Sequence, residues 1–155
     1  MIDNPRYPVA KAKAPQAGYS GTPLVKKLGL KPATTLALLG APDGFVGELV
    51  GLSGDVRVVT RLSGAPALTI WFVSSKKMLD KGITRISAEM GQGLWIAWPK
   101  KASGIVTDVN EDLVRNAGLA QGIVDYKVCA INFTWSGLKF ARRAKRPTTG
   151  PRRTT

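Results

Sequence analysis

The chain contains no histidine, so imidazole bases, His-liganded metals and protonation switches near neutral pH are excluded. Its single cysteine, Cys129, can form neither an internal disulfide nor a thiolate metal cluster. No apolar run reaches the roughly 18 residues that a membrane span needs. The first fifteen positions carry cations but no apolar stretch, so no secretory leader is expected and the expected location is the cytoplasm. What is present is a 155-residue chain, 44% hydrophobic, long enough to bury one core without covalent staples. Composition excludes much and names no reaction.

Anions are few, 10 against 23 Lys and Arg, and the excess of +13 sits at the two ends. Residues 1–31 sum to +5, residues 139–155 to +7, and the 107 residues between them to only +1. A solvated, solubilising extension accounts for the C-terminal stretch, given Pro147, Gly150, Pro151 and the Thr pairs. The same cations (Arg142, Arg143, Lys145, Arg146, Arg152 and Arg153) would also attract nucleic acid, each neutralised phosphate on duplex DNA adding about 0.9 to the salt slope. No aromatic residue interleaves the last fifteen positions as a stacking platform would require. No amphipathic face accompanies them either, so no membrane partner is expected.

Residues 1–20 read as an extended basic arm, 21–143 as one α/β domain, and 144–155 as a disordered basic Thr/Arg/Pro tail. Thr22-Pro23 opens a short helix that Gly29 closes, with Leu24, Val25 and Leu28 turned inward. Thr35–Leu39 is an apolar run ending at Gly40-Ala41-Pro42, a buried strand and its turn. Asp43 is expected to cap a helix through about Gly51, although Gly44 and Gly47 weaken it. Asp55–Leu62 is rich in β-formers, and Leu68–Val73 and Leu94–Trp98 are apolar throughout, as strands buried on both faces are. Between them Ser74 or Ser75 caps a helix whose stripe, Leu79, Ile83, Ile86 and Met90, is spaced by 4, 3 and 4. Asp108 with Glu111 resembles a capping box for a helix ending at Gly118. Val124–Asn132 and Gly137–Arg142 follow, joined by a turn at 133–136 that is too short for a parallel crossover.

The expected fold is therefore α/β, a mostly parallel, Rossmann-like three-layer sandwich of about six strands with a C-terminal antiparallel hairpin. In such sheets ligands bind outside the carboxyl ends of the strands. Five loops would meet there, at Gly40–Phe45, Arg61–Pro66, Ser74–Lys77, Pro99–Gly104 and Thr134–Gly137. They offer Arg61, Lys76, Lys77, Lys100 and Lys101, hydroxyls of Ser63, Ser74, Ser75, Ser103, Thr134 and Ser136, and the indole of Trp135. Cations, hydroxyls and a helix N-terminus are the parts that hold a phosphate or another anion. The plain alternative is that the serines cap helices and the lysines are solvated. Trp135 either stands exposed as a contact residue or folds back over the sheet. Cys129, inside an apolar strand and with no histidine to activate it, reads as a core residue. No catalytic constellation, metal or cofactor is expected, and the oligomeric state is open.

The order of elements looks like a reduced class I methyltransferase-like Rossmann fold. That resemblance implicates Leu38-Leu39-Gly40-Ala41-Pro42-Asp43-Gly44-Phe45 as the turn beneath a methyl donor. Pro42 interrupts its glycines, and Thr60-Arg61-Leu62 stands where an acidic residue for the ribose is expected. The segments GYSGTPLVKKLGLKP (18–32), LLGAPDGF (38–45), WPKKASG (98–104) and KVCAINFTWSGLKFARR (127–143) resemble small bacterial proteins of the domain of unknown function 3052 family. This second resemblance implies the α/β fold and a bacterial, cytosolic origin, and no activity.

The leading expectation is a non-catalytic cytosolic binding protein whose loop edge accepts a phosphate-bearing or other anionic ligand. The alternatives are a nucleic-acid-associated accessory protein using its basic termini and a divergent methyl-donor-dependent transferase.

Overall fold

The computed structural model describes residues 24–49, 55–62 and 66–142. Six strands form one mixed sheet: β1 (Thr35–Leu39), β2 (Arg57–Val59), β3 (Leu68–Phe72), β4 (Leu94–Pro99), β5 (Ile123–Ala130) and β6 (Trp135–Arg142). Their spatial order is β2-β1-β3-β4-β6-β5, with β2, β1, β3 and β4 parallel. β6 runs antiparallel to β5, because a four-residue turn, 131–134, cannot carry a parallel crossover, and it pairs antiparallel with β4 on its other side. The fold class is the expected one.

β3 and β4 lie in the middle, so every residue of both is buried and their apolar runs are continuous. Alternation along them feeds two cores. On one face Trp71, Val73, Leu94, Ile96 and Trp98 pack beneath α2 (Lys76–Glu89) and α3 (Glu111–Ala120). On the other, Leu68, Ile70, Phe72, Trp95 and Ala97 pack with Leu24 and Leu28 of α1 (Leu24–Leu28) and with Phe45. The stripe Leu79, Ile83, Ile86 and Met90 is buried as its spacing predicts.

Several boundaries differ from expectation. The helix expected from Asp43 is a single 3-10 turn, Phe45–Glu48, opened by Gly44 at φ 81°. Gly44 and Gly47 raise the entropic cost of winding a longer helix there, and Phe45 is anchored instead by its ring against Phe72. The strand expected over 55–62 is three residues long, an edge strand paired only with β1. Asn110, not Asp108, caps α3, its Oδ1 accepting the Leu113 N–H at 2.9 Å. β6 starts at Trp135, inside the expected 133–136 turn, since Asn132 Oδ1 already closes that turn by accepting the Thr134 and Trp135 N–H groups. The start of the first helix at Thr22-Pro23, the arm and positions 143–155 lie outside the described residues.

Candidate functional site

Because β1 to β4 are parallel, the segments that follow them leave one edge of the sheet. The pairing of Pro99 with Trp135 brings the β5–β6 turn to the same edge. The expected loops therefore share a rim, and Lys76 and Lys100 follow the adjacent strands β3 and β4. Their side chains nevertheless divide between the two faces. Ser63 lies outside the described residues.

On the α2 side, the first turn of the helix is already supplied with acceptors. Ser75 Oγ accepts the Met78 N–H at 3.1 Å and Asp108 Oδ1 accepts the Lys76 N–H at 2.7 Å. The Ser74 carbonyl accepts from Thr107 Oγ1. Lys76 Nζ pairs with Asp80 at 2.8 Å, and that carboxylate raises the Lys76 pKa. Orphan N–H groups attract anions to helix N-termini, and here a carboxylate of the chain itself takes that place. Lys77 is exposed and makes no ion pair with a described residue.

Across the sheet, the Lys100 N–H donates to the Thr134 carbonyl, and Ser103 Oγ both donates to the Lys100 carbonyl and accepts from Ile105. Lys101 is exposed in the 3-10 turn Lys101–Ser103. Trp135 folds back over the sheet, its ring edge-to-face with Phe72 at 5.1 Å. Ser136 sits in the ladder between Trp98 and Ala130. Partial burial, then the charge of Lys27, lowers the Lys100 pKa.

Arg142, grouped by charge with the tail, behaves differently. It ends β6, and its guanidinium donates to the carbonyls of Ser87, Ala88 and Gly91 at the C-terminus of α2. Arg143, Lys145, Arg146, Arg152 and Arg153 lie outside the described residues.

Two adjoining clefts flank α2 and share Lys81, Gly82 and Ile86. One, of about 470 Å³, is also lined by Trp71, Ser75, Lys77 and Met78. The other, of about 350 Å³, reaches Leu39, Arg61 and Leu62. Their origin is topological. Only eight residues, 60–67, carry the chain from β2 past β1 to β3, and Leu62 from that crossover packs on the α2-side core. Eight residues are too few to lay a helix across β1, and the second cleft opens between Leu62 and α2. Gly82 completes the floor, since a Cβ there would stand 2.6 Å from the Trp71 ring. The groove thus gathers Arg61, Ser75 and Lys77 from the expected set. It adds Lys81, Arg85, Trp71 and Gly82, which were not expected. Lys77, Lys81 and Arg85 recur every four residues beside the apolar stripe, a signal present in the sequence.

An open, mostly parallel sheet with α1 packed on one face and α2 and α3 on the other defines a Rossmann-like α/β protein. Solved structures share this architecture. A magnesium protoporphyrin IX methyltransferase from Synechocystis PCC 6803 with bound SAH superimposes with a TM-score of 0.52 at 12% identity, over 77% of this chain and 78% of that one. A ribosomal protein L11 methylase from Lactobacillus delbrueckii subsp. bulgaricus gives 0.50 at 12% identity, over 78% and 76%. The pyocyanin biosynthetic protein PhzM gives 0.53 at 8% identity, over 77% and 53%. At such identities the likeness establishes the fold alone. No family model and no curated protein sequence matches the chain.

The fold brings a methyl donor into question, and the residues at the ends of β1 and β2 do not fit it. Gly40, at φ 70°, is held close to protein backbone: an added Cβ would stand 3.2 Å from the Phe72 carbonyl oxygen. Phe45 is buried against Phe72 directly after the β1 turn. At the end of β2 stand Thr60 and Arg61, so no carboxylate receives the ribose hydroxyls.

Proposed function

We propose that the chain is a non-catalytic binding protein that takes an anionic ligand with an apolar portion in the α2 groove. The observation that carries this reading is the pairing of cations with an apolar floor. Lys77 and Lys81 stand one turn apart above Trp71, Ile86, Leu39 and Leu62. Ligand sites commonly combine a mainly apolar lining with a few placed charges. A phosphate-bearing or carboxylate-bearing molecule meets that description, its anion on the lysines and its apolar part on the indole.

The test is thermal shift and Trp fluorescence with 1-anilinonaphthalene-8-sulfonate, acyl carboxylates and nucleotides. A stabilising probe that Lys77→Glu with Lys81→Glu abolishes supports the reading. Stabilisation that survives this double change, or none across the panel, removes it.

The fold likeness favours a second reading, a divergent methyl-donor transferase. Titration calorimetry with SAM separates the two. Binding heat from the folded chain supports the transferase, and a flat titration leaves the groove reading.

A further inference from the structure

The opposite face of the sheet carries a separate cluster that the groove does not use. Lys27, Lys100, Lys127 and Lys139 lie about Cys129 where β5 and β6 meet α1, and the nearby β5–β6 turn holds the Glu48 carboxylate, which accepts from Asn132 Nδ2 at 2.7 Å. Three of the ammoniums are held in place by carbonyls. Lys27 Nζ donates to Ala130 O at 2.7 Å, Lys127 Nζ to Lys27 O at 2.8 Å, and Lys139 Nζ to Leu28 O at 3.2 Å. An ammonium has three donors, so the contacts of Lys127 and Lys139 leave each of them capacity for a further acceptor.

Beside them the β5 ladder is irregular. The register shifts between Asp125 and Lys127, so Tyr126 is the extra residue of a bulge. The residue is 59% exposed, and Lys139 Nζ lies 5.7 Å from its ring centroid. The same ammonium is 5.8 Å from the ring of Trp95, so its place is fixed from both sides. Bulges commonly re-aim a side chain, and this one presents an aromatic face to solvent among fixed cations. At the far end of β5, about 13 Å from Tyr126 at ~3.3 Å per residue, the turn exposes Phe133 and lies beside Lys100.

We propose that this face of the β5–β6 hairpin binds single-stranded nucleic acid, Tyr126 stacking a base while Lys127, Lys139 and Lys100 hold the phosphates. An unpaired strand offers the base faces that a duplex hides, and stacking tolerates any base. A lipid surface would instead require several apolar side chains entering together, whereas Tyr126 stands among ammoniums. Partial burial lowers the Lys100 pKa first, and the nearby charge of Lys27 adds to it; a phosphate beside the two would offset that second effect. This site is distinct from attraction by the basic termini, which needs no fixed geometry.

The experiment is fluorescence anisotropy of a labelled oligouridylate with the full chain, at several salt concentrations. Tyr126→Ala should weaken binding about tenfold, while Tyr126→Phe binds as the parent does. Lys127→Gln with Lys139→Gln should lower the salt slope by about 1.4, two phosphate contacts at ~0.7 each. Tyr126 is exposed, and a thermal melt of each variant checks that it folds. Unchanged affinity in a folded Tyr126→Ala variant overturns the proposal. So does oligouridylate binding that ignores the lysine changes while those changes abolish binding to phosphatidylglycerol vesicles, which would assign the face to a membrane.

Discussion

Asp108 Oδ1 accepts the backbone N–H of Lys76 at 2.7 Å, so a carboxylate 32 residues downstream occupies the first turn of α2. It shares that turn with Ser75 Oγ, and together they serve two of the N–H groups that lack an intrahelical partner. Removing the carboxylate with Asp108→Ala should cost about 1 kcal/mol by urea denaturation, the usual size of a lost N-terminal acceptor. Asp108→Asn should cost less, since its amide oxygen can still accept. The Ala variant should also gain a larger rise in Tm from millimolar phosphate than the parent does. An equal rise would mean that Asp108 does not keep anions from this helix end.

The same residue shows what a sequence can and cannot tell. Asp108 and Asn110 are both good capping residues with an open turn after them, and local spacing favoured the first. The deciding fact is tertiary: α2 begins beside Asp108, and its N–H claims the carboxylate. The strands were more legible. Burial on both faces gives β3 and β4 unbroken apolar runs, and only a central position in a sheet requires that. The groove was half legible. Lys77, Lys81 and Arg85 announce a basic stripe, but the open ground beside it depends on sheet order and on a crossover of eight residues. The Tyr126 platform had no signal in the pattern, since its bulge appears only in the pairing with β6.

Gly82 is the position where α2 and Trp71 come closest, with an added Cβ 2.6 Å from the indole. Gly82→Ala gains up to about 1 kcal/mol of helix propensity, but the ring must move, and overpacking costs about 1–3 kcal/mol. The expected outcome is a net loss of stability with a shifted Trp fluorescence maximum. Gly82→Leu should lose more and fill the groove, weakening any ligand that Lys77 and Lys81 hold. A stabilised Gly82→Ala variant would show that Trp71 is free to yield.

Arg142 closes the other end of α2 by donating to the carbonyls of Ser87, Ala88 and Gly91. Its charge also faces the negative end of the helix dipole. Arg142→Ala should lower stability by about 1 kcal/mol. Arg142→Lys should restore only part of this, because an ammonium cannot reproduce the planar fork across three acceptors. Nucleic-acid affinity should change by no more than one cation's share of the salt slope. A large loss of affinity with unchanged stability would return Arg142 to the tail.

Cys129 lies half-buried on β5, and burial pushes its thiol pKa up more strongly than the surrounding lysines pull it down. A raised pKa means that the folded chain holds the thiol proton more tightly than the unfolded chain. This stability is fully present below the ordinary thiol value of about 8.5 and is lost as pH climbs through the raised one. Lysines titrate in the same alkaline range, so the contribution is isolated by comparing the parent with Cys129→Ala. The denaturation midpoint of the parent should fall more steeply than that of the variant between neutral pH and about pH 10. In the folded chain at mildly alkaline pH, iodoacetamide should label Cys129 more slowly than it does in urea. If the four ammoniums outweighed burial, the midpoint of the parent would fall less steeply than that of the variant, and native labelling would outpace labelling in urea.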